Sequence, residues 1–275
     1  MTSARPEPAI RPNLTLWLLS FAHAVNHAQA VLLPMVFLLI IKEFGVTVQA
    51  ITFVAAAGSI SAGFVQASFA YLTRRVSRRS LMGVGGLLFG FGFAAQAIAP
   101  SFQAFALTNV LSRIGGSPQH PVGNGLLAEQ FPPERRGMAI SAHISGGNVG
   151  TVIVAVFGPA LLAVAGWRGV SIIFGIPAAL IALAILRWVR ESGADRAAAI
   201  AEGSVVEAFR VIWRDHTIRR VYLASVLGGG GRGLGVANLF TLIYLSHVLH
   251  LDAGLTNAMY GGLIVLSVPM PLVAG

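Results

Sequence analysis

Long apolar blocks dominate the chain, and arginine-rich segments separate them at every second boundary. A bilayer's hydrocarbon core is about 30 Å thick, so about 20 helical residues are needed to cross it. Backbone N–H and C=O groups in lipid must find partners within their own segment, which requires helices. The sequence therefore predicts an all-α polytopic membrane protein. The predicted spans are Leu14–Ile41, Ile51–Leu72, Leu81–Ala99, Phe102–Leu127, Met138–Ala165, Val170–Leu186, Val221–Val248 and Ala258–Gly275.

The composition agrees with a membrane protein. Only 11% of the residues are charged and 55% are hydrophobic, whereas a soluble domain has about 25% charged residues. The net charge of +9 does not indicate nucleic-acid binding, because the arginines lie between the spans. The chain has no cysteine, which excludes disulfides and thiolate metal sites. The first apolar run is too long for the hydrophobic region of a signal peptide, so we interpret it as a retained span.

Basic residues are distributed unequally between the two sides of the predicted membrane. One side receives only Lys42 and Arg168. The other receives Arg5, Arg11, Arg74, Arg75, Arg78, Arg79, Arg135, Arg136, Arg187, Arg190, Arg196, Arg210, Arg214, Arg219 and Arg220. Because basic loops stay in the cytoplasm, we predict a cytoplasmic N-terminus in a multi-pass protein of the plasma or inner membrane. Trp17, Trp167 and Trp188 lie near span ends, which is typical of interface anchors.

The longest segment between spans, Arg187–Arg220, follows the sixth span and includes the amphipathic stretch Ser204–Arg214. A long cytoplasmic link after six spans is typical of transporters built from two pseudo-repeated halves. We predict a six-helix N-terminal half at residues 1–189, a cytoplasmic linker at 190–218, and the start of a second half at 219–275. The last apolar block ends without a basic flank, so we expect the protein to continue beyond it.

Glycine and proline inside the predicted spans indicate close packing and bends. Gly83, Gly86 and Gly90 recur at the spacing that lets helix backbones approach, as do Gly146 and Gly150. Prolines inside spans remove a helix hydrogen bond and favour bends; these are Pro34, Pro121, Pro159 and Pro177. The glycine run at Gly228–Gly231 favours either tight packing or a broken helix beside a cavity. A phosphate-binding loop is excluded there, because no Lys-Ser/Thr pair follows the glycines.

Two histidines in the first span are candidates for function, because polar groups inside a membrane are costly. His23 and His27 are four residues apart and share a helix face, flanked by Asn26 and Gln29. His23 lies about 15 Å along the helix, near mid-membrane. Three interpretations remain open: a proton-linked substrate site, hydrogen bonding between helices, and a metal site. No carboxylate or cysteine lies near the pair in sequence, so we assign no metal.

Arg113 and Arg232 interrupt the fourth and seventh spans near the midplane, where an unpaired arginine is expensive. No Asp or Glu lies deep in any predicted span. The partners are therefore backbone carbonyls, further spans, water or an anionic substrate. The arginine fork suits phosphonate, phosphate and carboxylate groups, so we assign both arginines to a substrate pathway.

Four further polar residues lie in the fourth and fifth spans. His120 precedes Pro121, and we expect it either to line a cavity or to cap a carbonyl freed by the proline. Gln119 and Asn148 join the predicted pathway on weaker grounds. His143 lies close to the predicted start of its span, so we assign it a gate or packing role.

Several loop motifs resemble the major facilitator superfamily. They are the basic loop Leu72-Thr73-Arg74-Arg75-Val76-Ser77-Arg78-Arg79, the fourth-helix Arg113, the link Pro132-Pro133-Glu134-Arg135-Arg136-Gly137 and the turn Gly166-Trp167-Arg168. More narrowly, His23-Ala24-Val25-Asn26-His27, His120-Pro121 and Gly146-Gly147-Asn148-Val149-Gly150 resemble the fosmidomycin-resistance-like branch. The resemblance implies a helical bundle of about twelve spans, six of them and the first two of the second half present here. It also implies a gating role for Arg74, Arg75, Arg78 and Arg79.

The chain departs from both patterns at acidic positions. Arg74 stands where the superfamily loop usually has an aspartate that helps a gate. His27 and Val122 stand where the branch usually has acidic residues. The proton carriers implied by the branch are therefore not carboxylates in this chain.

The resulting prediction is a secondary active transporter working by alternating access. The resemblance implies proton-coupled efflux of a small anionic or drug-like compound, as in antiporters that confer drug resistance. The alternatives are an uptake carrier for an organic anion and a non-transporting membrane sensor. No nucleophile elbow or nucleotide-binding motif is present, so we predict neither an enzyme nor an ATP-driven pump. The predicted partners are a small-molecule substrate, protons and the lipid bilayer, with no cofactor and no nucleic acid, and we expect a monomer.

Overall fold

The computed structural model describes residues 9–191, 210, 213–221, 223–224 and 236–267, and its regular elements in these ranges are all helices. They are α1 Pro12–Phe44, α2 Val48–Arg75, α3 Arg78–Ala95 with a 3-10 turn at Gln96–Ile98, α4 Phe102–Gly116, α5 Pro121–Gln130, α6 Pro133–Trp188, α7 Val236–Ile243 running into a π-helix at Tyr244–Val248, and α8 Ala253–Ser267. The predictions for Gly228–Gly231, for Arg232 and for most of Ser204–Arg214 lie outside the described residues.

Four of the described helices are long and apolar enough to cross a membrane: α1, α2, α3 with its turn, and α6. α6 has 56 residues, which would extend about 84 Å if straight. It bends at Gly166, whose φ of 63° and ψ of 175° are not helical. Residues 133–165 and 167–188 are therefore two arms, each long enough to span the bilayer. The all-α polytopic fold and the predicted turn at residues 166–168 are confirmed.

The predicted fourth span is interrupted. α4 ends at Gly116 and α5 begins at Pro121, so the two helices have only 15 and 10 residues. Side chains define where several helices begin. Thr47, Ser77 and Ser101 accept hydrogen bonds from backbone N–H groups three residues ahead, and so cap α2, α3 and α4.

Glycines bring α1 and α3 into close contact with the two arms of α6. A Cβ on Gly150 would lie 1.9 Å from the Ala24 carbonyl oxygen of α1, and one on Gly146 would lie 2.8 Å from that of Ser20. On α3, a Cβ on Gly90 would lie 2.5 Å from the Ala179 backbone nitrogen of α6. Only glycine allows backbones this close, so the predicted role of these small-residue motifs is confirmed.

Two apolar clusters fill the ends of the bundle and leave a polar layer between them. One cluster, at the α1 C-terminal end, includes Phe37, Phe105 and Trp167. The other, at the α1 N-terminal end, includes Leu19 and Leu126. Leu19 belongs to one cluster and Ala28 to the other, and His23 and His27 lie between these two positions along α1. The polar positions of α1 thus lie in the middle of the helical bundle, between the two apolar clusters.

Trp167 does not act as an interface anchor. Its exposed fraction is 5%, compared with 63% for Trp17 and 50% for Trp188. The indole Nε1–H donates to Glu43 at 2.6 Å, and Arg168 forms an ion pair with the same carboxylate. Arg168 also donates to the Ala99 carbonyl at 3.1 Å. The prediction for Trp167 is wrong because this tryptophan ties the end of α1 to the bend of α6.

The contact of Gly150 with α1 predicts that Gly150→Ala destabilises the protein. Its Cβ meets backbone that cannot rotate away, and overpacking of this kind costs about 1–3 kcal/mol. This exceeds the roughly 1 kcal/mol that alanine contributes to helix propensity. We expect a lower Tm of the purified protein in detergent, measured by intrinsic fluorescence. Gly63→Ala on α2 is the matched control, because nothing lies within 4 Å of its Cβ. An equal or higher Tm for Gly150→Ala would contradict the packing.

Candidate functional site

A cavity of about 290 Å³ lies in the middle of the bundle, between α1, α2, α3 and α4. Its volume is near the lower end of the range for small-molecule sites. Its lining is rich in polar side chains and carries no acidic one. The lining residues are Asn26, Gln29, Ala30, Leu33, Ala62, Gln66, Phe89, Phe93, Asn109, Ser112, Arg113, Gly116, Ser117 and His120.

The break between α4 and α5 lies at the edge of this cavity. Pro118 and Pro121 have no backbone N–H, so a continuous helix would lack two hydrogen bonds here. The chain forms turns instead: the Ser117 N–H donates to the Ile114 carbonyl at 3.2 Å, and the Val122 N–H to the Pro118 carbonyl at 3.0 Å. Irregular backbone at membrane depth is tolerated where it lines a cavity. His120 makes no capping bond and lines the cavity, which supports the first of its two predicted roles.

Four of the chain's seven histidines meet beside the break. The ring centroid of His23 lies 4.4 Å from that of His27, 4.8 Å from that of His120 and 4.4 Å from that of His143. The His143 ring stacks on His23, whereas the other two present an edge. We call these four residues the histidine cluster. His23 and His143 are fully buried, and His120 is exposed to the cavity.

Hydrogen bonds orient the two α1 histidines. His23 Nδ1 lies 2.9 Å from the His143 carbonyl oxygen; since a carbonyl only accepts, the imidazole N–H donates. His27 Nδ1 lies 3.3 Å from Thr151 Oγ1, whose hydroxyl itself donates to the Gly147 carbonyl, so His27 also donates through Nδ1. Gly147 makes room for both rings, because a Cβ there would lie 3.0 Å from His23 and 3.1 Å from His27. Interhelical hydrogen bonding is therefore confirmed for both.

Arg113 is half-buried in the cavity wall and has no acidic partner in the described part of the chain. Its Nη2 donates to Ser59 Oγ of α2 at 2.8 Å, and its buried Nε finds no hydrogen-bond partner there. Gly58 admits the side chain, since a Cβ at that position would lie 2.5 Å from Arg113 Cδ. A guanidinium with one hydroxyl neighbour retains most of its donors for a ligand.

The remaining predicted pathway residues differ in location. Asn26 lines the cavity, and a Cβ on the facing Gly116 would lie 2.5 Å from its amide nitrogen. Gln119 is buried but lies beside a separate, smaller cavity near Met82 and Ala182. Asn148 is exposed on α6 and does not line the main cavity. Arg232 lies outside the described residues, so its role stays a prediction.

The basic loop at the end of α2 makes specific contacts at the predicted cytoplasmic end. Arg78 forms an ion pair with Glu129 of α5. The carboxylate of Glu191, just after α6, accepts hydrogen bonds from the backbone N–H groups of Arg78, at 3.1 Å, and of Arg79. Arg75 lies over the Tyr71 ring at 4.7 Å. The chain thus supplies carboxylates to this loop from α5 and from the segment just after α6, although Arg74 replaces the usual aspartate.

Sequence reasoning missed part of the site. The sequence predicts that His143 lies close to the membrane surface, near the start of a span at Met138. The helix begins earlier, at Pro133, so His143 lies deeper than predicted. His143 is therefore about 15 Å along the helix, level with His23. The α4 side of the cavity was also missed beyond Arg113. Asn109, Ser112 and Gly116 have the i, i+3, i+7 spacing of one helix face, a signal that could have identified them.

Relatives with known names match parts of the chain. A probable L-galactonate transporter of Escherichia coli (strain K12) is 25% identical over 159 residues, which are 58% of this chain and 35% of that protein. The MFS antiporter QDR3 of Candida albicans (strain SC5314 / ATCC MYA-2876) is 28% identical over 109 residues, which are 40% of this chain and 16% of that protein. The chain thus matches well under two thirds of the length of either relative.

Solved structures share the fold. A bacterial homologue of the human lysosomal transporter Spinster, inward-facing and unoccupied, has a TM-score of 0.66 at 20% identity, covering 91% of this chain and 58% of that one. A D-xylose-proton symporter has a TM-score of 0.62 at 17% identity, covering 96% of this chain and 66% of that one.

The family match extends over almost the whole chain. Residues 19–275 match the family model described as Major Facilitator Superfamily. This range begins within α1 and contains the other described helices, the interrupted α4–α5 segment, the cavity and the histidine cluster. The chain is therefore an all-helical, multi-pass membrane protein that belongs to the Major Facilitator Superfamily.

Proposed function

We propose that this protein is a secondary active transporter that carries a small organic anion through the central cavity by alternating access. The observation that carries the proposal is Arg113, a cation in a mid-membrane cavity without an acidic partner among the described residues. A charge in this position is costly, and such residues usually serve a substrate or ion pathway. An anionic substrate would satisfy the guanidinium while it is bound.

The neighbours of Arg113 suit an anion that also carries hydroxyl groups. Gln29 and Asn109 each have a buried amide atom without a hydrogen-bond partner in the described chain, and both line the cavity. The guanidinium fork matches a carboxylate or a phosphate, whereas the amides match hydroxyl groups. The resemblance to a probable L-galactonate transporter supports this class, because L-galactonate is a polyhydroxy carboxylate. We predict that Arg232, on the second half, is a further substrate ligand.

Protons are the proposed coupling ion. Unperturbed histidine titrates at about pH 6.5, within the range of a physiological proton gradient. The histidine cluster opens to the cavity at His120, and the described spans carry no deep carboxylate that could serve instead. His27 stands where the fosmidomycin-resistance-like branch has an acidic residue; assignment to that branch stays a prediction from three short motifs. Residues of these three motifs lie next to one another: His23 contacts His120, and Gly147 faces the rings of His23 and His27.

The proposed direction is efflux by exchange with protons. The resemblance to an MFS antiporter over 109 residues supports exchange. Uptake together with protons is the alternative, because the same cavity serves either direction and the coupling decides which one occurs.

The unequal distribution of basic residues supports a cytoplasmic N-terminus in the plasma or inner membrane. Fusions of a reporter to residue 77 or residue 132 should be fluorescent with green fluorescent protein and inactive with alkaline phosphatase. Fusions at residues 45 and 100 should give the opposite result. The reverse pattern, or no difference between the two sets, would contradict the orientation.

The anion proposal predicts that Arg113 determines substrate charge. In liposomes containing the full-length protein, we expect saturable flux of an anionic panel that includes a hexonate, a phosphonate antibiotic and a sugar phosphate. Arg113→Gln should reduce flux of the carried anion at least about tenfold, since one charge-assisted hydrogen bond contributes about 1.5–3 kcal/mol. Arg113→Lys should retain part of it. The matched control is Arg136→Gln, which alters an arginine outside the cavity. Equal flux in Arg113→Gln and wild type would contradict the site.

The coupling proposal predicts that His27→Ala separates substrate binding from proton movement. With a pH dye inside the liposomes, addition of the carried anion should change internal pH in wild type. The sign of the change distinguishes exchange from joint uptake. The His27→Ala variant should lose the pH change while still binding the substrate. A saturable flux in wild type without any pH change would overturn proton coupling and leave the cluster a packing feature.

A further inference from the structure

The geometry of the histidine cluster points to a divalent transition-metal site of the zinc type, with His23, His27 and His120 as ligands. One ring nitrogen from each of these three histidines lies within 4.8 Å of those of the other two. We infer that Zn²⁺ binds here at the edge of the cavity. This inference does not rest on the proposed substrate, and it bears on the proposed coupling ion, because imidazoles that hold Zn²⁺ cannot take up protons while the ion is bound.

Neutral imidazoles are suitable ligands for Zn²⁺, with Zn–N distances of about 2.0–2.1 Å. A tetrahedral site of this size places ligand nitrogens about 3.3 Å apart. The three ligand nitrogens, which lie within 4.8 Å of one another, therefore need to approach by at most about 1.5 Å to bind the ion. His120 can supply this movement, because it lies in the break between α4 and α5 and its side chain is exposed to the cavity.

The hydrogen bonds of the cluster match those around bound metals. A metal-ligating histidine usually donates its other ring N–H to a carbonyl or similar acceptor, which fixes the tautomer. His23 and His27 both donate through Nδ1, to the His143 carbonyl and to Thr151. The lone pair of each imidazole is then on Nε2, and His23 Nε2 is buried without a partner in the described chain. The two lone pairs come from one helix face at the i, i+4 spacing of many zinc sites.

Three protein ligands leave the fourth position of the ion open to the cavity. Sites with three protein ligands and an open position bind water or substrate there. Because all three ligands are neutral, the ion would keep its full charge and favour an anion at that position. Arg113 lines the same cavity and would share that anion. The sequence alone predicts no metal here, because no carboxylate or cysteine lies near the His23–His27 pair along the chain. The fold supplies a third imidazole from the distant His120.

Equilibrium binding of Zn²⁺ to the purified full-length protein tests the site. The protein should carry a histidine-free affinity tag, be stripped with a chelator, and be titrated against a fluorescent zinc indicator. We expect one Zn²⁺ per chain in wild type. His120→Gln should weaken binding at least about tenfold, and Thr151→Val should weaken it about 10–100-fold by removing the acceptor that orients His27. His247→Gln is the matched control, because His247 is exposed and remote in sequence, and it should bind as wild type does.

Cobalt gives a second readout that packing alone would not produce. Co²⁺ in the site should show the strong visible bands of tetrahedral nitrogen coordination, and these should disappear in His120→Gln. Size-exclusion profiles confirm that each variant is folded; if His120→Gln is not, Thr151→Val decides the outcome. Absence of one-to-one binding in wild type would overturn the inference. So would affinities of both variants equal to that of His247→Gln.

Discussion

The close contact of α1 with the first arm of α6 determines the positions of the functional groups. Gly146 and Gly150 let the two backbones touch, and Gly147 between them accommodates the rings of His23 and His27. The same contact places the His143 carbonyl and Thr151 within hydrogen-bonding distance of those rings. Polar groups in hydrocarbon need such partners. Larger residues at the glycines would separate the helices and leave the histidines without their acceptors.

The interrupted fourth span supplies the other side of the site. A continuous helix would pair its backbone groups within itself. The break at residues 117–120 instead brings Ser117 and His120 to the wall of the cavity. Two apolar clusters above and below confine the polar groups to one layer. Ion pairs and hydrogen bonds of Glu43, Glu129 and Glu191 join the helix ends on both sides. The charged contacts of the helix ends are thus kept apart from Arg113, which has no acidic partner among the described residues.

The sequence predicted most of the helices, the turn at Gly166 and the shared face of His23 and His27, because each depends on local periodicity or on one residue's backbone freedom. The meeting of His23 with His143 depends on packing between residues 120 positions apart, which periodicity does not encode. The depth of His143 was misjudged because apolarity begins later than the helix does. Trp167 has the sequence position of an interface anchor, and only its contact with Glu43 reveals a buried role.

The central claim is that the polar cavity opens alternately to the two sides of the membrane. Residues 1–275 contain no cysteine, so Ser117→Cys, with any cysteine of the rest of the full-length protein replaced by serine, places a single thiol in the described cavity wall. Labelling by a membrane-impermeant thiol reagent can be measured in right-side-out and inside-out vesicles containing the full-length protein. The account predicts labelling in both kinds of vesicle, and addition of the carried anion should reduce the rate of labelling in each. Labelling from one side only, or from neither, would contradict it.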